Sequence, residues 1–247
     1  MHAQTPVQSI EFASDDKYRI TTPRGVVYAK TVIHATNSHA GHLLPGLRGA
    51  LFPVRGQMST QVPSKSFGNK YDGKKSWSIH YDAGFDYTTQ SGESGEIFHG
   101  GGLAQSIQRG LGELGNTRDD LNSVQAVAHL GGALNATFGI EDEQKMSAGM
   151  KATWTGVMGF TSDGLPLVGR LPRNATLREG GGEWVAAGFN GYGMANAWLC
   201  GKHVADSVLG KVDFEPVPWA YKITNERLAS MSAEVAAREW IAALGME

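Results

Sequence analysis

Alternating apolar and polar positions predict a β-hairpin near the start of the chain. Residues 18–22 (YRITT) alternate as a half-buried strand, residues 23–25 (PRG) form a turn, and residues 26–29 (VVYA) return as the partner strand. The β-branched apolar run at 31–35 (TVIHA) predicts a further strand, buried on both faces. This strand ends in the small or polar residues Ala35, Thr36 and Asn37. In open α/β sheets ligands bind beyond such strand ends, and a plain strand-to-helix turn is the alternative.

The pattern changes near residue 52, where strand-like segments separated by polar turns begin. The runs 77–81, 85–89 and 96–99 alternate and predict an antiparallel sheet, the last of them leading into three consecutive glycines at 100–102. The segment 117–120 (TRDD) resembles a helix capping box with Asp in place of Glu. Apolar residues then recur on one stripe and predict a helix that covers the sheet: Leu121, Val124, Val127, Leu130 and Leu134.

A strand, a glycine-rich turn and a helix follow one another from residue 184 to 209. The apolar run 184–187 precedes Gly188, Gly191 and Gly193, and helical spacing of apolar residues follows, at Met194, Trp198, Ala205, Val208 and Leu209. Upstream, Asp163, Gly164 and Pro166 mark a turn, and downstream the residues 225–244 form a helical tail with a rough stripe at Leu228, Met231, Val235, Ile241 and Leu244.

The glycine-rich turn is the strongest chemical signal in these patterns. The first turn of a helix leaves backbone N–H groups unpaired, and the helix dipole adds positive potential behind them. Together they favour an anion or a developing negative charge, and glycine lets a ligand touch the backbone. A tight strand-to-helix connection without a ligand is the alternative interpretation of the same residues.

Composition narrows the function classes. The 247 residues carry a formal net charge of −2, with 22 basic and 24 acidic residues, so neither nucleic acid nor an anionic membrane is favoured as a partner. The single cysteine, Cys200, excludes an internal disulfide. The N-terminus lacks the pattern of a secretion signal, and no apolar run reaches the roughly 18 residues of a membrane span, so we expect a cytoplasmic protein.

Metal and nucleophile chemistry have weaker support. His39 with His42, and Cys200 with His203, each offer two ligands at helical spacing, but no third ligand is near in sequence, so we expect no metal site. Cys200 as a nucleophile needs a positioned base, and a buried structural thiol is the alternative. We find no Ser/His/Asp or paired-carboxylate arrangement that would carry catalysis.

Five segments, taken together and in order, resemble a known family. They are residues 32–37 (VIHATN), 53–57 (PVRGQ), 100–102 (GGG), 154–169 with DGLPLVG at its end, and 187–194 (AGFNGYGM). This series resembles the C-terminal part of the FAD-dependent oxidoreductases of the D-amino-acid oxidase superfamily, close to the sarcosine, glycine and γ-glutamylputrescine oxidase branch.

The resemblance implies an α+β fold and a division of the chain into four segments. A largely antiparallel or mixed substrate-binding sheet domain would be joined to the incomplete C-terminal part of a split FAD-binding α/β domain. The implied segments are residues 1–51 (FAD-domain part with the hairpin and the ATN strand), 52–150 (substrate domain with its covering helix), 151–220 (C-terminal part of the FAD domain) and 221–247 (helical tail).

The implied activity is FAD-dependent oxidation of an amine or amino acid to an imine by hydride transfer to the flavin, with oxygen as acceptor. The residues implied to bind the cofactor are Ala35, Thr36 and Asn37 beside the dinucleotide, Arg55, Gly56 and Gln57 near the flavin, and Gly188, Gly191, Tyr192, Gly193 and Met194 at the glycine-rich turn. Backbone N–H groups at this turn would stabilise the negative charge that the flavin gains. Candidates for substrate contact are Tyr81, Tyr87 and Trp154, with packed aromatic residues as the alternative interpretation. No catalytic base is assigned.

The chain also departs from the family pattern. It has no GxGxxG unit followed about 20 residues later by an acidic residue, the fingerprint that binds a dinucleotide. Tyr192 stands where relatives often carry His, and Ala195 where some carry Lys, so the substrate stays open. We expect a fragment, a truncated product, or a subunit whose missing nucleotide-binding elements a second chain supplies. Two hypotheses follow: an FAD-dependent oxidase of a small amine or amino acid, or an FAD-less, non-catalytic or repurposed module or partner subunit of the same family.

Overall fold

The computed structural model describes residues 1–63, 67, 73–81, 84–138, 149–211 and 217–243. The fold combines α-helices with antiparallel and mixed sheets, which confirms the α+β class. The strands are β1 (Ser9–Phe12), β2 (Tyr18–Thr22), β3 (Gly25–Ala29), β4 (Val32–His34), β5 (Leu51–Gln61), β6 (Ser76–Tyr81), β7 (Gly84–Gln90), β8 (Ile97–Gly101), β9 (Met150–Thr161), β10 (Leu167–Arg170) and β11 (Glu183–Ala187). The α-helices are α1 (Ala40–Leu43), α2 (Val124–Phe138), α3 (Arg173–Thr176), α4 (Gly193–Val208), α5 (Asn225–Ser230) and α6 (Ala233–Ala243).

The chain divides into two compact units. Unit 1 comprises residues 1–53 and 158–236, and unit 2 comprises residues 54–157 and 237–247. Among the described residues, no helix has the length and apolar character needed to cross a lipid bilayer.

Unit 1 contains two three-stranded sheets. In the first, β1, β2 and β3 are antiparallel, and the register of β2 with β3 confirms the predicted hairpin. In the second, β11 lies between β10, to which it is antiparallel, and β4, to which it is parallel. The prediction that the β4 strand is buried on both faces is wrong, since Ile33 is 48% exposed while His34 is buried. The apolar core of unit 1 includes Leu44, Leu47, Leu167 and Val185.

Unit 2 is built on a sheet with the strand order β6-β7-β8-β5-β9. The pairs β6–β7, β7–β8 and β5–β8 are antiparallel, as predicted. Helix α2 packs on one side of this sheet, where Leu134 meets Ile97. The predicted capping box at 117–120 does not start this helix, which begins at Val124; Leu121 lies outside it and its carbonyl accepts hydrogen bonds from the side chains of Arg55 and Thr155.

The helix after the glycine-rich turn is present, but the apolar stripe predicted for it is not its buried face. Met194 and Trp198 are exposed, and α4 instead buries Cys200, His203, Val204 and Asp206. Cys200 and Val204 pack against Val168 of β10. This contact, and not the strength of the apolar stripe, sets the orientation of the helix.

The predicted helical tail is broken into two helices. α5 ends at Ser230 and α6 begins at Ala233, with the buried Met231 between them. Leu228 is also buried, and Leu244, the last position of the predicted stripe, lies outside the described residues.

Candidate functional site

The turn between β11 and α4 has the backbone conformation that its glycines predict. Gly188 and Gly191 have φ of +73° and +81°, values that side chains with a Cβ rarely adopt. A Cβ on Gly188 would also lie 2.5 Å from Thr161 Cγ2, whereas around Gly191 the nearest atom, Met158 Sδ, is 3.9 Å away. Gly188 is therefore required by both packing and backbone conformation. Gly191 is required by backbone conformation alone, and there is open space beside it.

The first turn of α4 lacks a side-chain cap. Tyr192 occupies the N-cap position without a capping hydrogen bond, and no acidic residue lies in the first turn. The Tyr192 N–H itself donates to the Phe189 carbonyl at 2.8 Å, so this N–H group is part of the turn. Gly193 and Met194 are the first two helical residues, where N–H groups have no acceptor within the helix. Tyr192 and Met194 have exposed side chains, so the start of the helix faces solvent.

Asn37 joins the end of β4 to the glycine-rich turn. Its Oδ1 accepts a hydrogen bond from the Gly188 N–H at 2.9 Å, and its φ is +44°. Gly159 makes room for this amide, since a Cβ there would lie 2.5 Å from Asn37 Oδ1. Two of the predicted cofactor segments thus meet within unit 1, while Ala35 and Thr36 are exposed beside Asn37.

Asn190 stabilises the same turn and was missed from the sequence. Its buried side chain accepts from the Thr161 N–H at 2.9 Å and donates to the Gly188 carbonyl at 2.6 Å, and its N–H donates to the Gly159 carbonyl at 2.8 Å. Its φ of +52° is one that Asn tolerates better than most residues. An Asn between two glycines is the signal that could have identified it.

Arg55 and Gln57, predicted to lie near the flavin, have partners inside unit 2. Arg55 donates to both carboxylate oxygens of Glu113, at 2.6 and 3.2 Å, and both side chains are buried. Gln57 Oε1 accepts from Thr155 Oγ1 at 2.9 Å. Because strand residues alternate between faces, Gly56 lies on the opposite face of the sheet from these two side chains.

The sheet of unit 2 separates the three predicted substrate residues. We call the side that packs on α2 the inner face, and the opposite side the outer face. The phenol of Tyr81 donates to Asp86, whose carboxylate also binds His129 of α2, so Tyr81 lies on the inner face. Tyr87 and Trp154 lie on the outer face and are 40% and 38% exposed. The structure therefore brings Tyr87 and Trp154 to one side and Tyr81 to the other.

The glycine run 100–102 is explained by contacts on both faces. A Cβ on Gly100 would lie 2.1 Å from Met58 Sδ and 2.6 Å from the Tyr87 ring, which close over it on the outer face. A Cβ on Gly101 would lie 2.1 Å from Asp86 Oδ1. The N–H of Gly102 donates to that oxygen at 2.9 Å. The run thus lets the chain pass close to a buried carboxylate and to an aromatic ring.

Asp86 is the centre of a buried hydrogen-bond network that the sequence did not reveal. Its Oδ1 accepts from Tyr81 at 3.0 Å, and its Oδ2 accepts from His129 Nε2 at 2.7 Å. Burial acts to raise the pKa of Asp86, but the hydrogen bonds from His129 and Gly102 outweigh it and hold this pKa below its ordinary value. Burial, and then the charge of Asp86, raise the pKa of Tyr81 well above its ordinary value.

His99 lies beside this network and is buried with it. Its ring is fully buried, Nδ1 is 2.8 Å from Thr88 Oγ1, and Nε2 is 4.0 Å from Asp86 Oδ2. Burial lowers the pKa of His99 to about 4, an effect that the nearby charge of Asp86 only partly opposes.

The Cys200 thiol is not arranged as an activated nucleophile. Cys200 is buried, and burial raises the pKa of its thiol, which disfavours the thiolate. Within the described ranges, no group of three or more His, Cys, Asp or Glu side chains is arranged to hold a metal ion.

Comparisons with known proteins point to one family. The family model described as DAO, FAD dependent oxidoreductase, matches residues 1–207. No curated protein sequence matched the chain.

Similar solved structures include three oxidoreductases. Glycine oxidase from Geobacillus kaustophilus superposes with a TM-score of 0.63 at 20% identity, over 90% of this chain and 52% of its own. L-proline dehydrogenase from P. horikoshii gives 0.61 at 21% identity, over 88% and 52%. A modified fructosyl peptide oxidase from Aspergillus nidulans gives 0.66 at 18% identity, over 92% and 53%. The chain thus spans about half the length of these proteins.

Proposed function

Because the chain belongs to the family of FAD-dependent oxidoreductases, we propose that it oxidises an amine or amino acid to an imine by hydride transfer to FAD, with oxygen as the acceptor. The observation that carries the proposal is the open start of α4, which follows a glycine-rich turn and is tied through Gly188 to Asn37.

The residues at this turn fit an electron-rich group. The N-cap position has no side-chain cap and the first turn has no acidic residue, so neither a hydrogen-bond acceptor nor a negative charge competes there. The positive φ of Gly191 and the space around it allow a ring or a phosphate to approach the backbone. A side chain at this position would be both strained and in the way.

FAD would supply the hydride-accepting ring, and the chain would bind it and stabilise its charge. The N–H groups of Gly193 and Met194 would donate to the part of the cofactor that becomes negative, with the helix dipole adding to their effect. Gly188 and Asn37 hold the turn in place through their hydrogen bond. Tyr192 shapes the turn and offers no N–H to the cofactor, because its N–H donates to the Phe189 carbonyl and its carbonyl accepts from the Ala195 N–H.

The other predicted residues keep separate parts in the proposal. Ala35 and Thr36 are exposed and are proposed to lie along the dinucleotide. In the segment 55–57, the side chains of Arg55 and Gln57 form hydrogen bonds within unit 2, whereas Gly56 has no side chain. Tyr87 and Trp154 remain candidates for substrate contact, whereas Tyr81 is proposed to orient Asp86.

The test is binding of FAD by the purified chain, followed by visible absorbance after gel filtration. We expect flavin to be retained by the chain and lost in the double variant Gly191→Val/Gly193→Val, because a side chain at 191 strains the turn and both added side chains cover the backbone N–H groups. The matched control is Gly210→Val, which places a similar strain at φ +68° near the other end of α4, in open space.

Amine oxidation with detection of hydrogen peroxide follows for a chain that retains flavin. A double variant that is folded and binds FAD as tightly as the parent would refute the placing of the cofactor at this turn. A well-folded parent chain that stays colourless would instead support the FAD-less module or partner subunit.

A further inference from the structure

The outer face of the unit 2 sheet carries no full charge in strands β5 to β8. Alternation from the paired registers places on this face only glycine, aliphatic, thioether, aromatic, hydroxyl and imidazole side chains. The charged residues of these strands, Arg55 and Asp86, point to the inner face and have partners there. A carboxylate placed on the outer face would thus find no Arg or Lys on these strands, and Lys151 of the neighbouring strand β9 is already paired with Glu96.

Aromatic rings form much of this uncharged surface. The ring centroids of Phe98 and Trp154 are 6.4 Å apart in an edge-to-face arrangement, and those of Phe85 and Tyr87 are 6.3 Å apart. Tyr87 closes over Gly100 beside Met58, which brings its ring close to the sheet. Phe85, Tyr87 and Trp154 are each at least one third exposed, so their rings are open to a ligand.

The electrostatic potential behind this surface favours a cation. Asp86 follows Phe85 and precedes Tyr87 in β7, and its carboxylate is buried just beneath them. Its effect reaches the outer face, since burial and then the charge of Asp86 raise the pKa of Tyr87. The negative charge of Asp86 repels a phenolate at this place, and for the same reason it attracts a positively charged ammonium group.

We infer that this face binds the ammonium group of an amine that lacks a carboxylate, and so selects such amines over α-amino acids. An alkylammonium group over aromatic rings gains cation–π attraction. A carboxylate held beside it would lose water without gaining a charged partner on these strands. The inference rests on the proposed function, because it names the substrate class of that oxidation, but it concerns binding alone.

Three probes with the same trimethyl group separate the contribution of the positive charge from that of apolar contact and from the effect of a carboxylate. Choline carries the cation, 3,3-dimethylbutanol is its neutral isostere, and glycine betaine adds a carboxylate to the cation. Titrated into the full chain and followed by calorimetry and tryptophan fluorescence, choline should bind about fivefold more tightly than the neutral isostere. Glycine betaine should bind more weakly than choline. Equal binding of the neutral isostere, tighter binding of glycine betaine, or no binding of choline would overturn the inference.

Substitutions locate the binding on the outer face. Trp154→Leu and Tyr87→Leu should each weaken choline binding several-fold, whereas Tyr87→Phe should retain it because the ring is kept. Trp198→Leu, which removes an exposed indole from α4 in unit 1, is the matched control and should leave binding unchanged. Loss of choline binding in the control, or its persistence in both leucine variants, would also overturn the inference.

Asp86→Asn tests the contribution of the buried charge. It should lower choline affinity without changing that of 3,3-dimethylbutanol, and circular dichroism reports whether the variant is folded. The two proposals can be refuted separately. If the chain retains FAD but does not bind choline, the proposed oxidase function stands and the proposed substrate class is wrong. If the chain binds choline but not FAD, the cation site stands and the proposed oxidase function is wrong.

Discussion

His99 shows how one buried side chain couples stability to pH. Its folded-state pKa of about 4 lies below the ordinary value of 6.5, so the unfolded chain takes up a proton first as the pH falls. The contribution of His99 is therefore fully present above pH 6.5 and is lost as the pH falls from 6.5 towards 4. Asp86, whose pKa is lowered, adds a further loss only below its ordinary value of 3.8.

We expect the free energy of unfolding to fall by on the order of 3 kcal/mol between pH 6.5 and 4 because of His99. His99→Gln should flatten this part of the curve, since glutamine does not titrate. Urea titrations at several pH values, followed by circular dichroism, measure it. His80→Gln is the control, because His80 is exposed in the same unit and should leave the slope unchanged. An unaltered slope in His99→Gln would show that another group governs the pH dependence.

At the residue scale, sequence predicted the special backbone positions better than the polar partners. Positive φ at Gly188 and Gly191 follows from the glycines themselves. The network around Asp86 does not, because Tyr81, His99 and His129 reach it from different elements. Pairing of this kind depends on which strands are neighbours in the sheet, and a short stretch of sequence does not reveal that.

At the scale of single elements, the type of structure was predictable and its buried face was not. For α4, apolar residues occur on more than one side of the helix, at Met194 and Trp198 and again at Cys200 and Val204. Packing on β10 and β11 decides between them, and it selects the side with Cys200 and Val204. The start of α2 was misplaced because the segment before it is held by backbone carbonyl contacts, such as those of Leu121, and not by a cap.

The buried face of α4 can be tested by two substitutions. Trp198→Lys should change the free energy of unfolding by less than about 0.5 kcal/mol, since surface substitutions are usually near neutral. Val204→Ala should cost about 1–3 kcal/mol, because it removes buried methyl groups that pack on Val168. Urea unfolding of both variants against the parent gives the comparison. A larger loss for Trp198→Lys than for Val204→Ala would mean that the exposed stripe is covered in solution.

At the scale of the whole molecule, contacts between distant parts of the sequence build unit 1. β4 pairs with β11, and Asn37 reaches Gly188 across 151 positions. Hydrophobic patterns are local and could not predict this pairing; the family resemblance implied only that both segments belong to one domain that is split in sequence. The implied four-segment division of the chain remains a proposal, whereas the structure divides it into two units after residues 53 and 157 and again after residue 236.

A buried ionic cluster holds the same two strands together. Glu183 at the start of β11 accepts from His34 of β4 at 2.8 Å and from Arg178 at 2.7 and 2.9 Å, and Glu183 and His34 are nearly fully buried. Burial acts to raise the pKa of Glu183, but its hydrogen bonds to His34 and Arg178 outweigh burial and lower it. The stabilisation is thus present above the ordinary pKa of 4.5 and is lost as the pH falls below it.

Glu183→Gln should therefore destabilise the chain by about 3 kcal/mol at neutral pH, because it leaves a mostly buried partner, Arg178, without its counter-charge. Glu179→Gln is the matched control: this residue pairs with Arg173, both side chains are mostly exposed, and we expect a change below about 1 kcal/mol. Thermal and urea unfolding compare the two. If both variants lose the same small amount, β4 is held to β11 by backbone pairing and apolar packing, and the ionic cluster adds orientation without stability. If Glu183→Gln also weakens FAD retention while the control does not, the position of Asn37 beside Gly188 depends on this cluster, since Asn37 follows β4 by three residues.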